Sequence, residues 1–262
     1  MLSNLLLLFP LVATPCQVVS PPCLERAHAH NDYLHKRPLI DALEKGFTSV
    51  ETDVFSVGDK LLVAHSALEL LPPRTLEALY LDPLEKLAAA RPGKLRPDGK
   101  PLWLLVDIKN DPEKTWELLR IRLEARPGLF CRWEKGKRIN GPVWVVVSGS
   151  VPRKAILEAE PRLASVDGRL ADLGKKTDPE AIPWISDAWS GQFRWRGNGL
   201  IPKADQEKMR EMVRQAQAEG KQLRFWGAPD NAPGWQAQRD AGVHRLGTDK
   251  LADLAEFLKP QQ

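Results

Sequence analysis

Residues 26–66 read RAHAHNDYLHKRPLIDALEKGFTSVETDVFSVGDKLLVAHS, a stretch that brings His28, His30, Asn31, Glu51, Asp53 and His65 into one short span. Within it, apolar residues surround Glu51 and Asp53 in SVETDVF, which is typical of a buried strand. Side chains two residues apart in a strand point to the same face, so the two carboxylates project together. They repel each other unless a cation lies between them, and Mg²⁺ or Ca²⁺ prefers such oxygen ligands. The stretch therefore predicts a divalent-metal site on a strand.

Outward from this stretch, short apolar runs alternate with helical patterns along the chain. The candidate strands are 24–30, 48–55, 102–108, 143–147, 164–166, 184–185, 223–226 and 243–246. The candidate helices are 39–45, 76–90, 112–125, 152–158, 204–219, 234–241 and 251–258. This alternation predicts a parallel sheet, and eight such units close a barrel of about 250 residues. We therefore expect an α/β fold, a single (β/α)8 TIM barrel.

One additional strand, residues 60–64, follows a turn at Gly58 and Asp59 and leads to His65. It predicts a small β-hairpin insertion after strand 2, at the mouth of the barrel. The Pro/Gly-rich stretch 91–100 is predicted to be a surface loop.

The amino terminus carries an apolar run, residues 5–13, that is too short to span a bilayer. It predicts a signal peptide or N-terminal leader over residues 1–22, a barrel domain over 23–262, and a secreted or periplasmic protein. Lipidation at Cys16 is a minor alternative. The remaining cysteines, Cys23 and Cys131, either form one disulfide or stay free thiols, and both alternatives remain open.

The charge distribution argues against one class of function. The net charge of the 262 residues is +4, and basic residues are interspersed with acidic ones. Nucleic-acid binding needs a basic patch or stripe and is therefore not indicated.

Polar residues follow the predicted strands, where the functional side chains of such barrels collect. In chain order they are His28, His30, Asn31, Glu51, Asp53, Asp107, Lys109, Ser148, Asp167, Arg169, Asp187, Trp189, Trp226 and Asp249. The last of these begins TDKLADL, which favours a helix cap over a catalytic role.

Four motifs in chain order carry a resemblance to a known superfamily. HNDYL from His30, SVETDV, VAHS ending after His65, and VDIK with Asp107 and Lys109 resemble the motifs of the PLC-like phosphodiesterases. That superfamily comprises phosphatidylinositol-specific phospholipase C, glycerophosphodiester phosphodiesterase and sphingomyelinase D. HNDY and the later segments LRFWGAPD and GVHRLGTDK resemble its HSHNDY branch, which includes a fungal altered-inheritance-of-mitochondria protein.

The resemblance implies a metal-dependent phosphoric diester hydrolase acting on a glycerophosphodiester or a phospholipid. It implies that His30 and His65 form the general acid/base pair, because in-line attack on phosphorus needs one proton removed and one delivered. The implied metal ligands are Glu51, Asp53 and Asp107, with Asn31 assisting. The implied substrate or phosphate contacts are Lys109, Arg169, Trp226 and, as a supporting residue, His28.

Several alternatives stay open at this point. His28 and His30 are also compatible with an HxH metal-dependent hydrolase, and a non-catalytic binding barrel is a third hypothesis. Arg169 can pair with Asp167 instead of a phosphate. The aromatic residues of the loop WSGQFRWRGNG, residues 189–199, suggest a lid or a lipid-touching rim. A peripheral membrane contact is open, and no obligate protein partner is evident.

Overall fold

The strands form a nearly closed parallel barrel in the computed structural model, which describes residues 21–90 and 94–259. In chain order they are β1 (Leu24–Ala29), β2 (Phe47–Val57), β3 (Lys60–Val63), β4 (Leu102–Ile108), β5 (Arg132–Glu134), β6 (Lys137–Ile139), β7 (Val143–Gly149), β8 (Ser165–Gly168), β9 (Trp184–Ala188), β10 (Gln222–Trp226) and β11 (Leu246–Thr248). Eight of them pair in the order β10-β9-β8-β7-β4-β2-β1-β11. A parallel bridge between Arg224 and Arg245 joins the two end strands, so the predicted (β/α)8 barrel is confirmed.

Helices lie between the barrel strands. They are α1 (Ile40–Leu43), α2 (Asp82–Ala90), α3 (Pro112–Glu124), α4 (Arg153–Leu157), α5 (Trp189–Gln192), α6 (Lys203–Ala218), α7 (Ala232–Ala241) and α8 (Leu251–Leu258). A π-helical turn, Glu77–Leu81, leads into α2, and 3₁₀ turns occupy Asp32–Leu34, Ala67–Glu69 and Leu170–Asp172. Within residues 21–90 and 94–259, no helix is long and apolar enough to cross a membrane.

The predicted hairpin after the second barrel strand is confirmed. β3 runs antiparallel to β2, with Val63 opposite Val54. β2 is longer than predicted and extends past the barrel, which places the hairpin beyond the C-terminal end of the strand. A second hairpin, β5–β6, was not predicted; both residues of its turn, Lys135 and Gly136, have positive φ.

Several other element boundaries differ from the prediction, and three of them have a clear local description. The eighth barrel strand begins at Leu246 instead of residue 243, because the Val243 amide caps α7 by donating to Gln238. The fifth is shifted toward its C-terminal end, to Ser165–Gly168. The first helix is shortened to Ile40–Leu43, since Leu39 has a φ of 66° and cannot continue a right-handed helix.

Tryptophans fill the half of the barrel interior that lies toward the amino-terminal ends of the strands. Trp103 stacks on Trp144 with ring centroids 4.6 Å apart, and Trp184 packs against Trp103 at 5.4 Å. The guanidinium of Arg245 lies over Trp103 and Trp184, 5.4 and 5.2 Å from their centroids. This layer closes the amino-terminal end, so the polar strand residues are presented at the C-terminal mouth.

Two predictions concern the amino-terminal segment and the cysteines. The predicted leader, residues 1–22, lies outside the described residues except for its last two positions, and secretion stays a prediction. Cys23 and Cys131 are free thiols, and the buried Sγ of Cys131 donates to the carbonyl of Gly141 at 3.3 Å.

Candidate active site

A cluster of three carboxylates lies at the mouth of the barrel. Glu51 and Asp53 project from one face of β2, and Asp107 stands opposite Asp53 in the neighbouring β4. One oxygen from each of the three lies within 4.8 Å of the others. Glu51 and Asp53 are buried, whereas Asp107 lies at the edge of the opening. The spacing of these residues in the sequence therefore places them together as predicted.

Glu51 is held ionised by two buried neighbours. Arg224 Nη2 donates to its Oε2 at 2.5 Å, and His28 Nε2 lies 2.8 Å from the same oxygen. Burial raises the pKa of Glu51, but the charge of Arg224 and the hydrogen bond from His28 outweigh it and hold that pKa far below its usual range. Both contacts use Oε2, so Oε1 is the oxygen left for another ligand.

His28 is a support for this carboxylate and does not face the opening. It is fully buried, its Nδ1 lies 2.7 Å from Ser49 Oγ, and its Nε2 is bonded to Glu51. Burial, and then the charge of Arg224, lower its pKa to about 3, so the imidazole is neutral. The expected substrate contact of His28 is therefore wrong, because neither ring nitrogen is available. The same geometry argues against His28 as a metal ligand of an HxH site.

Lys109 lies between the other two carboxylates. Its Nζ is 3.0 Å from Asp53 Oδ2 and 3.0 Å from Asp107 Oδ1. Burial raises the pKa of Asp107 to about 6, Lys109 opposes this shift, and the charges of Glu51 and Asp53 add to it. Burial likewise raises the pKa of Asp53. The two carboxylates are thus crowded with negative charge that one lysine does not fully compensate.

The geometry of the cluster fits a hard divalent cation. Asp53 Oδ1 is buried and has no hydrogen-bond partner in the described part of the chain. The carboxylates of Glu51 and Asp107 supply further oxygen donors at the same place. An orphaned buried oxygen among three carboxylates is what a Mg²⁺ or Ca²⁺ ion satisfies.

His30 lies beside this cluster and is oriented by Asp249. Its Nδ1 is 2.8 Å from Asp249 Oδ1, and the Asn31 side-chain amide approaches the same carboxylate oxygen at 3.4 Å. Burial lowers the pKa of His30, but the hydrogen bond to Asp249 and the charge of Glu51 outweigh it, so the pKa is raised overall. Because a carboxylate can only accept, Nδ1 carries a proton and Nε2 is the nitrogen left for chemistry.

Asp249 is itself held in place from β11 and the loop before α7. Asp230 Oδ2 accepts from the Asp249 amide at 3.1 Å, and its Oδ1 accepts from Thr248 Oγ1 at 2.6 Å. The next helix begins at Leu251, so the predicted helix-capping role of Asp249 is wrong.

Tyr33 connects the metal cluster to both histidines. Its buried hydroxyl is 2.8 Å from Asp53 Oδ2, 2.9 Å from Asn31 Oδ1 and 3.2 Å from His65 Nδ1. His65 is more than half exposed and lies 3.5 Å from Asp53 Oδ2. Since the hydroxyl has one proton, it donates to the charged carboxylate and can accept from His65.

The far side of the mouth carries a separate polar network. Asp167 is buried and accepts from Ser148 Oγ at 2.8 Å, Ser186 Oγ at 2.6 Å and Arg169 Nη1 at 3.0 Å. Arg169 therefore forms the structural pair that the sequence left open, with its side chain still partly exposed. Trp226 ends β10 with its ring half exposed at the mouth.

The aromatic residues of the loop after β9 do not form a lipid-touching surface. Trp189, Phe193 and Trp195 are buried. Trp189 and Phe193 pack on each other and on Phe225, with centroids 4.5 to 5.7 Å apart. The expectation of an exposed aromatic rim is therefore wrong, because these rings fix the loop onto the barrel.

Sequence reasoning missed three contributors to the site: Tyr33, Arg224 and Asp249. Each carried a signal. Tyr33 belongs to the HNDY motif, and Arg224 is a charge inside an apolar strand, which demands a buried acidic partner. Asp249 directly follows a strand end, but its helical context favoured the other interpretation.

Known proteins resemble this chain in sequence. The model of the AIM6-like phosphodiesterase domain matches residues 21–95. The Altered inheritance of mitochondria protein 6 homolog of Arthroderma benhamiae is 28% identical over 233 residues, 79% of this chain and 73% of that protein. Altered inheritance of mitochondria protein 6 of Eremothecium gossypii is 28% identical over 272 residues, 90% of this chain and 70% of that protein.

Solved structures resemble the fold. A glycerophosphodiester phosphodiesterase from Parabacteroides distasonis superposes with a TM-score of 0.56 at 14% identity, over 90% of this chain and 98% of that one. One from Agrobacterium tumefaciens gives a TM-score of 0.51 at 13% identity, over 88% and 98%. Together these matches agree with the resemblance that the motifs indicate: residues 21–95 match the AIM6-like phosphodiesterase domain, the chain is similar to the AIM6 proteins over most of its length, and its barrel resembles that of two glycerophosphodiester phosphodiesterases.

Proposed function

We propose that this protein is a metal-dependent phosphoric diester hydrolase that uses His30 and His65 as its general base and general acid. The observation that carries the proposal is the linkage of both histidines to one carboxylate cluster. Tyr33 touches Asp53, Asn31 and His65 within 3.2 Å, and Asn31 in turn lies against His30. A buried acidic cluster joined to two imidazoles at a barrel mouth suits phosphodiester chemistry.

The residues that would hold the metal are Glu51, Asp53 and Asp107, with the Asn31 side-chain oxygen assisting. Their donor atoms are all oxygens, which favours Mg²⁺ or Ca²⁺ over softer metals. When bound, such a cation neutralises charge on the phosphoryl oxygens and lowers the pKa of the attacking group.

His30 would act as the base. His30 Nδ1 donates a hydrogen bond to the Asp249 carboxylate, which fixes the tautomer of the neutral imidazole and leaves Nε2 unprotonated. Nε2 can then accept the proton of the nucleophile, which is water or a hydroxyl of the substrate. The carboxylate of Asp249 also stabilises the imidazolium that forms.

His65 would act as the acid. Its Nδ1 is oriented by the Tyr33 hydroxyl and by Asp53, and its exposed ring reaches the opening. Protonated His65 can deliver its Nε2 proton to the leaving oxygen. Lys109, fixed between two carboxylates, would place a second positive charge near the phosphoryl group.

The substrate proposed is a phosphodiester with an alcohol headgroup, either a glycerophosphodiester or a phospholipid. Arg169 and the half-exposed Trp226 lie on the far side of the mouth, where they could contact the part of the substrate that does not react.

A variant series tests the acid–base assignment. We expect His30→Ala and His65→Ala each to lower kcat about a hundredfold or more on a chromogenic phosphodiester with added Mg²⁺ or Ca²⁺. His35→Ala is the matched control, because His35 lies in the same loop as His30 without contacting the carboxylates. Full activity of either active-site variant would remove that residue from the mechanism.

A substrate screen tests the reaction class. Glycerophosphodiesters, lysophospholipids and phosphatidylinositol would be incubated with metal-supplemented protein and followed by phosphorus NMR. A cyclic phosphate product identifies a substrate hydroxyl as the nucleophile, whereas an open phosphomonoester identifies water. Protein that binds metal but hydrolyses no diester would favour the non-catalytic binding barrel.

A further inference from the structure

The exposed apolar side chains are concentrated around the mouth of the barrel. Six of the eight large hydrophobic residues that stand exposed in the described part of the chain lie in segments that follow the C-terminal ends of barrel strands. We name these six the rim: Leu34, Val57, Leu68, Leu71, Leu200 and Trp226. The other two, Ile121 and Ile139, lie on α3 and on β6. Single exposed leucines are ordinary, but their concentration around one opening suggests an interaction surface.

Leu68 is held outward by a defined turn. It is 99% exposed and occupies the middle of the 3₁₀ turn that begins two residues after His65. The Glu69 amide donates to the Ser66 carbonyl at 3.1 Å, and the Ser66 amide donates to Glu69 Oε2 at 2.9 Å. The turn is therefore closed at both ends, and Leu68 pays little additional ordering entropy when it is buried by a partner.

Leu200 is presented by a loop that the buried aromatic residues anchor. It is 96% exposed, and the Trp195 indole donates to the carbonyl of Asn198 at 2.8 Å, two residues before it. The Trp189 indole donates to the Trp195 carbonyl at 2.8 Å. Gly197 passes so close to Pro229 that a Cβ would lie 2.7 Å from the proline ring. The loop is thus fixed while its leucine points away from the protein.

The positive charge next to Leu200 indicates what kind of surface the exposed leucines would contact. Arg194, Arg196 and Lys203 are all exposed, and residues 189–204 contain no aspartate or glutamate. The next acidic residues, Asp205 and Glu207, lie on α6, where Glu207 is 3.9 Å from Lys203 and leaves the two arginines as the cations of the loop. Apolar side chains beside a cluster of cations suit the surface of a bilayer with anionic headgroups. Burial of the apolar area and attraction between the cations and the headgroups both favour binding there. A second copy of this chain would need a matching acidic patch facing the same loop.

We propose that the rim, together with Arg194, Arg196 and Lys203, docks the barrel mouth onto a bilayer that contains anionic phospholipid. The leucines enter the interface between headgroups and acyl chains while the cations contact the headgroups. Docked in this way, the mouth with His65 and Lys109 faces the headgroup layer. The further consequence, that the diester substrate is a membrane phospholipid and not a soluble glycerophosphodiester, rests on the proposed function.

Vesicle binding by the full chain tests the docking surface. Sedimentation would be measured with vesicles of phosphatidylcholine alone and with an equal mixture of phosphatidylcholine and phosphatidylglycerol. We expect Leu68→Ser with Leu200→Ser to weaken binding to the mixed vesicles about a hundredfold, tenfold for each leucine. Arg194→Gln should weaken it roughly fivefold, and phosphatidylcholine vesicles should bind more weakly throughout.

The matched control is Ile121→Ser with Ile139→Ser, which removes two exposed apolar side chains away from the mouth. Equal vesicle binding by the leucine and isoleucine variants would overturn the proposal, as would a wild-type protein that binds neither vesicle. So would a concentration-dependent dimer, seen by light scattering without lipid, that the leucine variant abolishes.

Hydrolysis of a soluble chromogenic diester separates this proposal from the proposed function. We expect the leucine variant to keep that activity while it loses activity on phospholipid in vesicles. Rim-dependent vesicle binding by a protein that hydrolyses no diester supports the docking surface and contradicts the catalytic proposal. Equal loss on the soluble and the vesicle substrate would overturn the role of the rim in reaching lipid.

Discussion

The chain has two tyrosines, and both donate a hydroxyl to a buried aspartate. Tyr33 donates to Asp53 in the metal cluster at 2.8 Å, whereas Tyr80 donates to Asp32 at 2.9 Å, outside it. We expect Tyr33→Phe and Tyr80→Phe each to lower the free energy of unfolding by about 1–3 kcal/mol, since each leaves a buried acceptor short of a donor.

Activity should distinguish the two tyrosine variants. Tyr33→Phe should also lower kcat at least tenfold, because the hydroxyl positions His65 and Asn31. Tyr80→Phe should keep the kcat of the wild type. Urea unfolding and steady-state kinetics on both variants check this, and equal kcat in the two would show that Tyr33 acts through stability alone.

Asp249 gives a second prediction at the scale of the residue. Asp249→Asn keeps the shape of the side chain but cannot fix the Nδ1 proton of His30 in the same way, so kcat should fall about a hundredfold or more. KM and the urea midpoint should stay unchanged, because this side chain is half exposed. Asp253→Asn on the exposed face of α8 is the control, and similar kinetics in the two variants would remove Asp249 from the mechanism.

Single residues show why the sequence predicted only part of the site. Glu51, Asp53 and Asp107 were predictable because strand periodicity alone sets which side chains share a face. The partners of His30 and Glu51 were not, since Asp249 and Arg224 lie 219 and 173 residues away along the chain and reach the site only after the barrel closes. His28 was misassigned because spacing gives its face but not the depth at which it is buried.

At the scale of elements, Gly149 shows how the end of one strand shapes the site on the next. It ends β7 with a φ of 74°, and a Cβ there would lie 2.3 Å from Asp107 Oδ1. Gly149→Ala should lower the free energy of unfolding by about 2–4 kcal/mol, from backbone strain together with the clash. It should also weaken metal binding, because Asp107 must move.

Gly136→Ala is the control for this substitution. Gly136 has nearly the same φ, 73°, but a Cβ would meet nothing within 4 Å. Gly136→Ala should lower the free energy of unfolding by about 1 kcal/mol and leave metal affinity unchanged. Urea unfolding and metal titration of both variants separate the effect of backbone strain from that of the clash with Asp107. Equal metal affinity of the Gly149→Ala and Gly136→Ala variants would show that Gly149 does not constrain Asp107.

The elements themselves were predictable where their pattern is local. Continuous apolar runs such as PLWLLVDI identify barrel strands whose two faces are both covered. The eighth strand was placed three residues too early, because the sequence does not show that Val243 caps the preceding helix. The seam between β10 and β11, a bridge between Arg224 and Arg245, depends on two buried arginines whose pairing no local pattern reveals.

At the scale of the whole molecule, His244 makes stability depend on pH. It lies near the seam, where its Nδ1 accepts from the Leu223 amide at 3.1 Å. Burial, and then the charges of Arg26 and Arg245, lower its pKa. The unfolded chain therefore binds this proton more readily than the folded one, and stability falls as the pH drops below about 6.5.

His244→Asn keeps an acceptor for Leu223 but removes the titration. The unfolding free energy of the variant should consequently fall less steeply than that of the wild type as the pH drops below about 6.5. Urea unfolding across that range measures both slopes, and parallel slopes would exclude His244 as the source.

Metal binding should stabilise the whole fold, because its ligands come together only when β2 and β4 pair. A cation that binds the folded chain at a hundredfold excess over its Kd adds about 2.7 kcal/mol. For a barrel of this size, that corresponds to a rise in Tm of roughly 5–10 °C in chelator-treated protein after Mg²⁺ or Ca²⁺ is added. Asp107→Asn should abolish the rise, whereas Asp111→Asn, an exposed change just after the same strand, should keep it. A rise that persists in Asp107→Asn would mean that the stabilising ion binds elsewhere.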